Sequence, residues 1–113
     1  MEITGNILVG KPGALQTLYS VNETFDENEI LNINLSATFI LIEGESLRIQ
    51  NSSFKDTDGA SADDDFSDAN KDFPYAITAG TDSVSSQGTS GGGADGGNPE
   101  ASLVTSFTLS IES

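Results

Sequence analysis

Residues 30–42 of the 113-residue chain read ILNINLSATFILI. Leu31, Ile33, Leu35, Ala37, Phe39 and Leu41 fall on one face of a period-two pattern, and Asn32, Asn34, Ser36 and Thr38 on the other. Only a pleated strand sends every second side chain to the same side. The run therefore predicts a half-buried strand, continuing into a stretch that is apolar on both faces at residues 39–42. The C-terminal run LVTSFTLSIES repeats the pattern, with Leu103, Thr105, Phe107, Leu109 and Ile111 opposed to Ser106, Thr108 and Ser110. No segment carries a 3.6-residue apolar stripe of helical length. The predicted fold is all-β and antiparallel, a β-sandwich or a jelly-roll-like arrangement.

The other strand signals lie mainly in the first half. EITGNILV and ALQTLYSV flank Lys11-Pro12-Gly13, a turn in which proline presets φ and glycine admits a positive one. NETFDENE is polar and acidic, with Phe25 its lone apolar anchor. Glu43-Gly44-Glu45 predicts a tight turn, after which SLRIQNSSF resumes the alternation. Leu47 and Ile49 are expected inward, Arg48 and Gln50 outward, and Arg48 reads as a surface residue.

The chain is read as one domain, residues 1–113, with core strands from 1–50 and 103–113 and an extended loop or arm at 51–102. That excursion is first acidic (KDTDGASADDDFSDANKD) and then glycine-rich (GTDSVSSQGTSGGGADGG, with seven of the twelve glycines). FPYAI is a candidate short strand within it. A core drawn from about sixty residues is marginal and ordinarily needs disulfides, a metal or oligomerisation. The chain has no cysteine, which excludes disulfides and leaves a metal, oligomerisation or another partner. Gly88, Gly91, Gly92, Gly93, Gly96 and Gly97 are the candidate partner-contact residues, because a bare backbone approaches a neighbouring chain closely. The other reading of the same stretch is an exposed loop.

Charge narrows the partners. Eighteen Asp and Glu stand against four Lys and Arg, a formal charge of −14. Such a surface repels nucleic acid and anionic membranes; a halophilic origin accounts for the same acidity without any partner. The opening residues lack the basic segment and apolar run of a secretory signal, so a soluble chain is expected, and the N-x-S/T triplets at Asn22, Asn34 and Asn51 read as chance.

Catalytic motifs are scarce. With no histidine, the commonest general base and transition-metal ligand are missing, and no Ser-His-Asp or Cys-His set can form. The glycine run lacks the Gly-Lys-Ser/Thr of a phosphate loop. Glu43 and Glu45 are paired carboxylates, but they lie across a turn rather than flanking a cleft. No enzyme is expected. Asp56, Asp58, Asp63 and Asp65 are candidate ligands of an irregular calcium site. An EF-hand register with Gly59 sixth puts Phe54 at the first ligand position and Asp65 at the twelfth, where a bidentate Glu belongs, so the run does not fit that loop. The simpler reading of the same run is a solvated acidic loop or one facing a basic partner. No cofactor is predicted.

Thr17 to Val21, Gly44 to Leu47 and Ile49 to Ser52 occur in an order that resembles small β-sandwich proteins of tailed-phage virions, of the head decoration (cement) or fibre-tip type. In those proteins a strand like TLYSV precedes an apolar strand, and a turn like Gly-Glu-Ser-Leu leads into a strand with a polar end. The resemblance covers about a third of the chain; the acidic and glycine-rich half has no counterpart. It implies a non-enzymatic capsid decoration protein, homo-oligomeric and often trimeric. Such a protein contacts the major capsid protein or another virion subunit and is part of a virion assembled in the host cytoplasm. The alternatives are a tail or fibre component, or a calcium- or carbohydrate-binding β-sandwich module. The chain has no Trp for stacking on a sugar, only Tyr19 and Tyr75.

Overall fold

A computed structural model describes residues 2–24, 29–56, 64–76, 79–87 and 102–111. These residues form two antiparallel sheets and no helix, as a β-sandwich requires. The first sheet is built on β1 (Glu2–Lys11), which pairs with β2 (Ala14–Thr24) on one side and β3 (Ser46–Asp56) on the other. The outer edge of β3 is covered in succession by β5 (Ala69–Pro74) and the two-residue β4 (Asp64–Asp65). The second sheet is a two-stranded ribbon of β6 (Gly80–Gln87) and β7 (Ser102–Leu109). The Pro12-Gly13 turn joins β1 to β2 as expected, with Gly13 at φ 87°. Gly44 turns the chain into β3 at φ 92°, closed by the Glu45 N–H donating to the Ile42 carbonyl.

Side chains from both sheets meet in two clusters. Ile3, Ile7, Val21, Phe54 and Phe66 form one, with Tyr19, Ile33 and Leu103 against it. Val9, Leu47, Ile49 and Val84 form the other, joined by Leu18, Phe39, Leu41, Ala69, Phe73, Phe107 and Leu109. Phe73 and Phe107 meet edge to face at 5.8 Å, one from each sheet.

β3 serves both clusters because its inward face changes parity. Leu47, Ile49 and Asn51 are buried, and then Phe54 and Asp56. Between them Asn6 is opposite Ser52 and Thr4 opposite Lys55, so Ser53 and Phe54 together face Gly5. This is a β-bulge, with Ser53 in the left-handed region at φ 58° and its N–H held by the Asp68 carboxylate. Gly5 makes room for it: a Cβ there would come within 2.5 Å of the Phe54 ring.

The expected strand at residues 30–42 does not form: among the described residues no ladder pairs it, and only part of the expected packing pattern is kept. Leu31, Ile33, Phe39 and Leu41 are partly buried, as the alternation requires, whereas Leu35 and Ala37 are exposed. Asn34 has φ 54° and lifts the chain away from the core between the two clusters. Periodicity dictates which way side chains point; it does not supply a hydrogen-bonding neighbour. Conversely, the 51–102 excursion contains the end of β3, all of β4 and β5, and β6. β6 has one large apolar side chain, Val84, and it is buried; ladder pairing with β7 holds the rest of the strand in place. FPYAI contributes only Phe73 and Pro74 to β5, and Tyr75 and Ala76 bend away.

Candidate interaction surface

The ribbon is fastened to the first sheet by one buried side chain. Asn51, fully buried, donates through Nδ2 to the Val84 carbonyl at 3.2 Å and to the Leu103 carbonyl at 3.5 Å, and its Oδ1 accepts the Thr105 hydroxyl at 2.6 Å. One amide from β3 thus ties both strands of the ribbon, at the gap between the two clusters.

Charged pairs brace the periphery. Arg48 and Asp72 are opposite one another on β3 and β5 and form a two-pronged pair, Nε to Oδ1 at 2.7 Å and Nη2 to Oδ2 at 2.9 Å. The guanidinium holds the Asp72 carboxyl below its ordinary range, and Asp72 in turn raises Arg48. Lys71 reaches from β5 to Asp82 on β6 at 2.7 Å; that contact, and the Ser83 N–H, lower Asp82. Glu45 is lowered by the Ile42 N–H and then by Lys11, whose Nζ lies 3.0 Å away. Three of the four cations are therefore engaged by the protein's own carboxylates. Lys55, the fourth, faces Asp65 across the ladder.

Against this ion-paired surface stands the segment 30–42. Its inward residues follow the ribbon: Ile33 and Leu103 pack on the first cluster, and Phe39, Leu41, Phe107 and Leu109 on the second, so the segment runs in the same sense as β7. Among the described residues, no hydrogen bond reaches the backbone of residues 30–41. Its outward side carries Ile30, Ile40 and Ile42, which are 80%, 82% and 62% exposed. Between Ile30 and Ile42 there is no charge and no proline; Glu29 precedes the run and Glu43 follows it. The sequence shows residues 39–42 to be apolar on both faces, with Ile40 and Ile42 at the even positions, but not that the segment lacks a ladder.

The sequence candidates fall elsewhere. Asp56 is buried at the end of β3, opposite Ile3 and Asp64, and Asp65 is exposed opposite Lys55. Asp58 and Asp63 lie outside the described residues, as do Gly88, Gly91, Gly92, Gly93, Gly96 and Gly97. Among the described residues no three Asp or Glu side chains gather as a metal site would need. Glu43 is exposed and Glu45 is bound to Lys11 beside an open depression of about 470 Å³ between the 11–14 and 44–46 turns. Comparison with protein-family models, with curated proteins and with solved structures finds no match.

Proposed function

We propose that this protein is a non-enzymatic structural subunit that docks onto a larger assembly. In the form that the sequence resemblance implies, it is a capsid decoration protein that stabilises a virion head through contacts between subunits. The observation that carries the reading is the segment 30–42: an uncharged segment with no backbone hydrogen bonds at residues 30–41 among the described residues, isoleucines outward, on a molecule of charge −14. An open strand edge is an aggregation hazard that solitary proteins blunt with Lys, Pro or a bulge. Keeping one bare is intelligible if a partner covers it.

The mechanism is mass action. A subunit that binds the assembled lattice and not its dissociated parts lowers the free energy of the lattice alone, by about 2.7 kcal/mol per site at a hundredfold excess over Kd. No group on the subunit has to react, so ordered apolar surface and backbone donors suffice.

The test is co-sedimentation of the purified chain with purified virion heads from the same source, followed by heating. Saturable binding at a fixed number of copies, with a raised disruption temperature, is the expected result. Heads that neither bind the chain nor gain heat resistance would overturn the reading.

A further inference from the structure

The register of the two sheets sorts the charges by end. Glu2 is opposite Thr24, Ile3 opposite Asp56, Lys55 opposite Asp65 and Ser102 opposite Gln87 at the end that holds the first cluster. Lys11 is opposite Ala14, Ser46 opposite Pro74 and Gly80 opposite Leu109 at the end that holds the second. The first end carries Glu2, Glu23, Glu29, Asp56, Asp64, Asp65 and Asp68 against one cation, Lys55. The sequence segments 25–28, 57–63 and 88–101, which connect elements at that end, hold six further Asp and Glu and no cation. At the second end Glu43, Glu45, Asp72 and Asp82 stand against Lys11, Arg48 and Lys71, and three of these carboxylates are ion-paired to the three cations. Almost all of the formal charge of −14 thus belongs to one end. Exposed apolar side chains mark the other: Ile42, Tyr75 and Ile111 follow closely on Leu41, Phe73 and Leu109, where three segments leave the second cluster.

We infer that two copies of this chain associate end to end about a two-fold axis, through Ile42, Tyr75 and Ile111 at the second-cluster end, with their acidic ends pointing away from each other. A two-fold contact uses one patch twice, so the patch must tolerate its own copy. This one is apolar, and the cations of its end are already held by that end's carboxylates, so little net charge is opposed across the contact. A ten-residue strand is about 33 Å long, which keeps the two acidic ends about 65 Å apart, many Debye lengths. Contact through the first ends, or side by side in the parallel sense, sets like charges together instead. Antiparallel side-by-side pairing would use the open edge of β2, which the bulge at Leu18 interrupts. The two shorter extents of the molecule are 24 and 21 Å. An end contact therefore buries on the order of 1,000 Å² over both copies, the low end for a specific interface, and a Kd on the order of 10–100 μM is expected. The inference goes beyond docking and does not rest on it: the contact takes the Ile42 end of the segment 30–42 and leaves its Ile30 end to the larger assembly.

Sedimentation equilibrium of the full chain, at concentrations reaching about 0.5 mM, tests this. A monomer–dimer equilibrium is expected, about tenfold weaker for Ile42→Lys and for Ile111→Lys, and within about twofold of the parent for Ile30→Lys at the first end. Each substitution adds a positive charge to a molecule of −14, so relief of general repulsion predicts the opposite sign, tighter association for all three. The three positions are exposed, and circular dichroism melts matching the parent verify that the variants keep the fold. A monomer at the highest concentration, equal weakening by Ile30→Lys, undiminished association of both Ile42→Lys and Ile111→Lys, or a species larger than a dimer would each overturn the inference. The monomer outcome would assign the apolar end to a different protein.

Discussion

Thr105 on β7 donates its hydroxyl proton to the fully buried Asn51 amide oxygen on β3 across 2.6 Å, from a position that is itself partly buried. The same Asn51 amide group donates to carbonyls on β6 and β7. Removing it leaves the buried Val84 carbonyl, the partly buried Leu103 carbonyl and the partly buried Thr105 hydroxyl without this partner, at roughly 1–3 kcal/mol for the uncompensated groups. Asn51→Ala should therefore destabilise by about 2–4 kcal/mol, once the lost volume is added. In a double-mutant cycle with Thr105→Val in urea, the coupling should be about 1 kcal/mol; additive losses would mean that the two residues act separately.

Ser86 is the opposite case. It is fully buried on β6 and, among the described residues, its hydroxyl has no hydrogen-bond partner. Ser86→Ala removes a desolvated group without opening a sizeable cavity, so it should stabilise the fold by about 1 kcal/mol. A lower melting temperature for this variant would mean that the hydroxyl is in fact satisfied.

Gly5 and Gly13 test two different uses of glycine. A Cβ at Gly5 would meet the Phe54 ring at 2.5 Å and the Phe54 backbone at 2.8 Å, so Gly5→Ala should cost about 1–3 kcal/mol through overpacking at the bulge. Phe54→Leu should restore only part of that, since the clash with the backbone of residue 54 remains. Gly13 has open space around it and φ 87°, so Gly13→Ala should lose only about 1–2 kcal/mol, from the left-handed backbone alone. Paired thermal melts rank the two.

Acid should weaken the periphery first. Glu45, Asp72 and Asp82 are all held below their ordinary range, so each contributes stability that is complete above about pH 4–4.5 and is lost as pH falls through its lowered value. Urea midpoints should decline below that range, and Asp72→Asn should start lower at neutral pH and decline less. Salt separates these pairs from the net charge. Screening three exposed pairs is unfavourable, but screening a charge of −14 is favourable and involves many more charges, so the melting temperature should rise with added sodium chloride. A fall would assign the dominant role to the pairs.

The sheets were largely legible from alternation and turn chemistry. Lys11-Pro12-Gly13 and Glu43-Gly44-Glu45 turn as their residues dictate, and Leu47 and Ile49 point inward. β6 was hidden because Val84 is its one large apolar side chain and its partner β7 lies across the glycine-rich stretch, so nothing local reveals the ladder. The inward turn of Phe54 was hidden too, because a bulge defeats a strict period of two. For residues 30–42 the orientation of Ile33 and Leu41 was readable and the lack of a ladder was not, since pairing belongs to the neighbour as much as to the strand. Only the even-numbered isoleucines hinted that the outer side had a use.

The extra residue at Ser53 gives β3 two reading frames, as a nucleotide insertion does to a gene. Up to Asn51 the odd residues face the core; from Phe54 the even ones do. Deleting Ser53 would close the frame, turning Phe54 and Asp56 to solvent and Lys55 into the core. One lost residue would thus scramble the whole end of the strand, whereas a substitution at Lys55, which is exposed, would alter one pairing. At that position a deletion should therefore cost more stability than a substitution, which paired urea melts of the two variants check.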